Sequence, residues 1–138
     1  MRGFGDADTQ EAFARFGAGD AAGAAKLCQV ALRRDKRNVA AMFLLALAYM
    51  QERKPDDAEA QFAKAAKLDA AVAEIWANRG NNQIALGNPD RALEFLQRAL
   101  ALRPDFPEAL YNQAKLLADQ ERHEEALAAY DRCVRLVP

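Results

Sequence analysis

The sequence predicts an all-α fold of eight short antiparallel helices paired as four hairpins. Three observations carry that prediction. Alanine supplies 32 of the 138 residues while glycine supplies 7 and proline 5, a balance that favours close-packed helices over sheet. The chain aligns to itself without gaps at an offset of 34 residues, which gives four copies at about residues 5–38, 39–72, 73–106 and 107–138. A turn signal then halves each copy: Gly19-Asp20, Lys54-Pro55, Gly87-Asn88-Pro89 and Glu121-Arg122. Four copies filling the chain leave no room for a second domain, so a single domain over residues 1–138 is expected.

The columns of this alignment hold one size class each. Ala24, Ala58, Ala92 and Ala126 form one; Ala31, Ala65, Ala99 and Cys133 another; Ala12, Ala46, Gly80 and Ala114 a third. Larger side chains fill the column of Cys28, Phe62, Leu96 and Tyr130, and the column of Leu32, Ala66, Leu100 and Val134 follows four residues later on the same helical face. Small residues beside large ones are how helix ridges fit grooves.

Taken in order, the first copy is the least regular. Asp8 stands where the other copies carry a large apolar residue, Arg15 and Arg34 occupy apolar columns, and Lys36 replaces the closing proline. Its first helix is expected to act as a cap that packs through Phe13 and Phe16. The second copy opens on Val39 to Met50, apolar all the way round, which marks a buried helix. After Lys54-Pro55 the acids Asp56, Asp57 and Glu59 fall in the first turn of the next helix, where they complement the helix dipole.

The third copy contains WANRGNNQIALGNP, residues 76–89, rich in poor helix formers, with Gly80 reserved for close approach of a neighbouring helix. Pro104 closes this copy and Pro107 opens the next helix; Pro138 closes the fourth copy.

This pattern resembles the tetratricopeptide repeat, most clearly through Trp76, Gly80, Gly87-Asn88, Ala92, Ala99, Leu102 and Pro104. The resemblance implies a right-handed α-solenoid, a superhelix of antiparallel hairpins whose first helices line a concave groove and whose second helices form the convex face. It departs from the family in the first-helix column Glu11, Leu45, Arg79 and Gln113, where Arg79 is expected to bury its stem and keep its guanidinium wet. The family usually adds a helix over its last hairpin, so an uncapped last repeat implies a piece of a longer protein or a face that meets another copy.

Several function classes lose support. Lys plus Arg number 19 against 20 Asp plus Glu, with no basic or acidic block, so neither nucleic acid nor a membrane surface is an expected partner. The longest apolar run has twelve residues, too short to span a bilayer, and a cytoplasmic protein is expected. No serine occurs and His123 is the only histidine, at the start of the last helix, where a solvated role is expected; a Ser/His/Asp arrangement is impossible and no enzyme is expected. Cys28 and Cys133 lie 105 residues apart without metal-ligand or redox spacing, so both are expected as buried free thiols. NRGNN and LGNPD lack the order of a phosphate loop. No metal or other cofactor is expected.

Helical geometry on the first helices predicts a stripe of Phe43, Leu44, Leu47 and Met50 in the second copy, Ala77, Asn78, Asn81 and Ile84 in the third, and Tyr111, Asn112, Lys115 and Ala118 in the fourth. Asn78 and Asn112 share a column, which predicts two rungs of an amide ladder able to pair with a peptide backbone. This resembles, in part, the asparagine ladder of the helical-repeat region of O-linked N-acetylglucosamine transferase, although Gln10 and Leu44 fill that column in the first two copies. The carboxylate clamp known in other members of the family would need more cations than Lys115.

The expected function is a protein-interaction scaffold that binds a peptide or protein segment through Phe43, Leu47, Asn78, Asn81, Tyr111, Asn112 and Lys115. The first helix could cover Phe43 and Leu47 or leave them open. The rivals are a substrate-presenting accessory region of a larger enzyme such as a protein glycosyltransferase, and a self-assembly module that forms a homodimer through the C-terminal hairpin.

Overall fold

A computed structural model describes residues 7–137, so Gly5, where the first copy begins, and Pro138, expected to close the fourth, lie outside the described residues. Eight α-helices and no strand occur among the described residues: α1 Ala7–Gly17, α2 Ala21–Arg34, α3 Val39–Gln51, α4 Pro55–Leu68, α5 Ala73–Ala85, α6 Pro89–Leu102, α7 Pro107–Asp119 and α8 His123–Leu136. Among the described residues no helix is long and apolar enough to cross a membrane. The all-α hairpin architecture is thus the one expected.

The chain divides into two compact units, with the division between Ala70 and Ala71. In the first, α1 pairs with α2 and α3 with α4, while α3 packs on α2 and also touches α1. In the second, α5 pairs with α6 and α7 with α8, and α6 packs on α7.

The hairpin turns are four versions of one device. Gly19, Arg53, Gly87 and Glu121, spaced by 34, all have positive φ, at 89°, 60°, 80° and 61°. In each, the next residue's N–H donates five residues back: Asp20 to Arg15 at 2.9 Å, Lys54 to Tyr49 at 2.8 Å, Asn88 to Gln83 at 2.9 Å and Arg122 to Leu117 at 2.8 Å. This left-handed cap satisfies the carbonyls a helix end would leave open, and glycine enters it without a Cβ penalty. Helix starts vary more. Asp20 and Asn38 cap α2 and α3 by accepting from the Gly23 and Ala41 amides, both at 2.9 Å. Proline at the first position opens α4, α6 and α7.

The small columns are the closest-packed positions. Ala24, Ala58 and Ala92 are fully buried and Ala126 nearly so. At Gly80 a Cβ would lie 3.0 Å from Cγ of Leu96 and 3.1 Å from the carbonyl oxygen of Ala92, so α6 approaches α5 as the small column implied. The helix α3, apolar all round, buries Ala40, Ala41, Met42, Leu44, Leu45, Ala46 and Ala48.

The polar departures of the first copy turn out to be partners. Arg34 Nη1 lies 2.8 Å from Asp8 Oδ2, so a carboxylate and a guanidinium in two nominally apolar columns meet each other. Beside them the capping Asn38 is buried and donates to Thr9 Oγ1 at 3.2 Å, which ties the start of α3 to α1. Phe13 and Phe16 pack, partly buried, against the core of Ala12, Cys28, Leu44 and Leu45. Arg79 lays its guanidinium 4.2 Å from the Phe95 ring centroid and 5.5 Å from that of Trp76, so its charge rests on aromatic faces instead of reaching fully into water.

Candidate functional site

The seven residues expected to bind a peptide fall on three helices. Phe43 and Leu47 are half-buried on α3. Leu47 packs against the core that α1 helps to close, and the Phe43 ring tilts against Phe62 with centroids 6.2 Å apart. These two side chains are therefore neither sealed nor fully open. Their neighbour Leu44, placed on the same stripe by helical spacing, is fully buried, and Ala77 in the third copy is 4% exposed. Both leave the stripe because position within a turn fixes direction but not what packs above it.

The two asparagines of one column make different bonds. Asn78 Nδ2 donates to the Glu74 carbonyl of its own helix at 2.9 Å. Asn112 Nδ2 instead donates to Oδ1 of Asn81, across from α7 to α5, at 2.8 Å. The two rungs of the expected ladder are thus held differently, Asn78 by its own helix and Asn112 by a bridge to Asn81. The reason is reach: Asn78 finds a carbonyl one turn back on its own helix, whereas Asn81 lies one turn further along α5, opposite Asn112.

Around this bridge two recesses open. One, of about 320 Å³, is lined by Pro107, Glu108, Tyr111, Asn112 and Cys133. The other, of about 90 Å³, is lined by Ile84, Asn112, Lys115, Leu116 and Asp119. Asn112 borders both. Tyr111 is 49% and Ile84 44% exposed, Tyr130 stands edge-on to Tyr111 at 6.0 Å, and the Lys115 ammonium lies 6.0 Å from the Tyr111 ring centroid. The structure therefore brings Asn81, Tyr111, Asn112 and Lys115 together. The expected stripe did not include Pro107 and Glu108, although Glu108 lies one turn before Tyr111 and Asn112 on α7, whereas Cys133 reaches the recess from α8, where spacing along α7 cannot find it.

The cysteines differ. Burial pushes the Cys28 thiol up to about 12, which leaves it protonated and unreactive. Cys133, expected to be buried like the alanines of its column, is half-buried, and its Sγ donates to the Pro107 carbonyl at 3.4 Å. His123 is exposed at the first position of α8. No group of three or more His, Cys, Asp or Glu side chains that could hold a metal occurs among the described residues.

Comparison with known proteins adds the following. Two family models, each described as tetratricopeptide repeat, match residues 15–80 and 77–138. Among solved structures, a crystal structure of MamA superposes with a TM-score of 0.84 at 26% identity, covering 96% of this chain and 75% of that one. TTC0263, a thermophilic TPR protein of Thermus thermophilus, gives a TM-score of 0.80 at 26% identity over 92% of this chain and 71% of its own. A curated relative, the CTR9 homolog of Arabidopsis thaliana, is 31% identical over 75 residues, which are 54% of this chain and 7% of that protein.

Proposed function

We propose that this chain, which belongs to the tetratricopeptide-repeat family and is therefore built as a protein-interaction scaffold, holds an extended peptide segment against the first helices of its hairpins. The observation that carries this reading is the Asn81–Asn112 bridge between two recesses. With one N–H of Asn112 bonded to Asn81, the Oδ1 of Asn112 remains to accept and the Nδ2 of Asn81 to donate. One acceptor beside one donor is the complement of a peptide unit, and turning both amides over leaves the same pair.

Each remaining residue has a role in this reading. Tyr111 and the recess beside it take an apolar side chain of the peptide, and Lys115 favours an acidic one. Asn78 keeps its Oδ1 as an acceptor. In the first unit, the half-buried Phe43 and Leu47 offer an apolar contact. Two free thiols suit a reducing, cytoplasmic setting.

Peptides selected by phage display against the intact chain test the reading. Their affinity, followed by calorimetry, should fall at least about tenfold in Tyr111→Ala and in Asn81→Ala with Asn112→Ala, the size of a modest interface hot spot. Unchanged affinity in both variants would sink it.

A second reading, association between copies through the last hairpin, is favoured by one column. Leu32 and Leu100 are half-buried and Ala66 is 4% exposed, yet Val134 is 70% exposed, with Val137 at 56%. If copies associate there, the mass measured by sedimentation should rise with concentration and return to monomer in Val134→Glu.

A further inference from the structure

A third pocket lies in the first unit, away from the peptide stripe. It encloses about 240 Å³ and is lined by Leu32 of α2, Lys36 just beyond it, Met42 of α3, and Gln61 and Lys64 of α4. Met42, 5% exposed, makes an apolar floor and the half-buried Leu32 a wall. Lys36 and Lys64 stand exposed on the rim.

Repeat symmetry shows what is unusual here. Lys64, Arg98 and Arg132 share one column, and Lys36 stands two copies before Pro104. In the second unit Arg132 Nη2 donates to the Pro104 carbonyl at 3.0 Å, which ties α8 to the end of α6. The corresponding positions of the first unit hold two ammonium groups, and neither is hydrogen-bonded or ion-paired to a described residue. Arg33 and Arg37 flank Lys36 in the sequence, with Asp35 between them accepting from the Arg37 amide, and Lys67 follows Lys64 by one turn. Two ammonium groups on the rim of an apolar floor favour a ligand that carries negative charge beside its apolar part.

We propose that this pocket is a second docking site, for a segment of a protein partner that presents one large apolar side chain flanked by carboxylates. Met42 as the floor and Leu32 as the wall form one apolar contact, which suits a single apolar side chain presented by a chain segment, and the two ammonium groups on the rim suit carboxylates flanking it. The apolar side chain fills the recess between Leu32 and Met42. The flanking carboxylates meet Lys36 and Lys64. Exposed ion pairs supply little affinity by themselves, so the anchor sets the strength and the lysines set selectivity and encounter rate. The proposal does not rest on the peptide groove, since none of its residues belongs to that stripe.

The test uses the full chain with ¹³C-methyl methionine and ¹⁵N labels, titrated with the peptide acetyl-Gly-Glu-Glu-Leu-Glu-Glu-Gly-amide. Saturable shifts of the Met42 methyl and of the Leu32 and Gln61 amides are expected. They should be lost when the peptide's leucine becomes serine, and binding should weaken at least about tenfold in Lys36→Glu with Lys64→Glu, checked by circular dichroism for an unchanged melt. Lys36→Gln with Lys64→Gln should give an intermediate loss and serves if charge reversal unfolds the chain. Tyr111→Ala should leave the titration unaltered. Absence of saturable shifts at Met42, equal binding of the serine peptide, or equal binding by the lysine variants overturns the proposal.

Discussion

Asn112 of α7 donates its amide hydrogen to the Asn81 side-chain oxygen of α5 at 2.8 Å, joining the first helices of the two hairpins in residues 71–138. Both side chains are half-buried, so the bond replaces one that water could partly supply. Asn81→Ala and Asn112→Ala should each cost about 1 kcal/mol, and the double variant should cost about 1 kcal/mol less than their sum. Urea unfolding of the four proteins measures this coupling; strict additivity would mean that the bond contributes nothing.

The turn at Glu121 gives a prediction of the opposite sign. Its φ of 61° is the left-handed conformation that Gly19 and Gly87 adopt in the equivalent turns without a side-chain penalty. Glu121→Gly should therefore stabilise the chain by about 1 kcal/mol and raise the Tm by a few degrees, despite the general cost of glycine in the unfolded state. Arg53→Gly should act in the same direction. A lower Tm in both would show that their side chains contribute more than the backbone strain removes.

The two thiols should separate cleanly. Cys28 is fully buried with its pKa pushed up to about 12, while Cys133 is half-buried at the rim of a recess. A thiol reagent at pH 8 should label Cys133 in the native protein and reach Cys28 only when the chain unfolds, so the label at Cys28 reports global opening. Rapid native labelling of Cys28 would contradict its place in the core.

Glu74 carries the pH prediction. The Arg103 guanidinium, hydrogen-bonded at 2.6 Å, holds its carboxyl below the usual carboxylate range. A depressed folded-state value means the pair stabilises the fold above the unfolded carboxylate pKa, about 4.3, and loses that contribution as pH falls through the folded one. Both side chains are 44% exposed, so screening keeps the contribution below about 1 kcal/mol. Glu74→Gln should thus melt slightly below the parent at pH 7 and with it at pH 2.5. A gap that widens toward acid would reverse the assigned sign.

The helices, the turns and the columns are legible in the order of the amino acids alone. A period of 34 residues with Ala, Gly and large apolar residues in register states which faces must meet, because each hairpin can bury its apolar side only against a similar one. The Gly80 approach to Leu96 and the positive φ at Gly19 and Gly87 follow from those local constraints. The paired departures Asp8 and Arg34 do not, since they lie 26 residues apart and neither matches its column. Nor does the Asn81–Asn112 bridge. Helical spacing tells which way a side chain leaves its own helix, and Asn78 and Asn112 leave theirs alike. What stands opposite depends on how the helices pack: Asn78 meets the Glu74 carbonyl of its own helix, whereas Asn112 meets Asn81 on another. A side-chain hydrogen bond acts over about 3 Å, so a bond between helices depends on their separation and rotation, which packing against the whole of each neighbour sets.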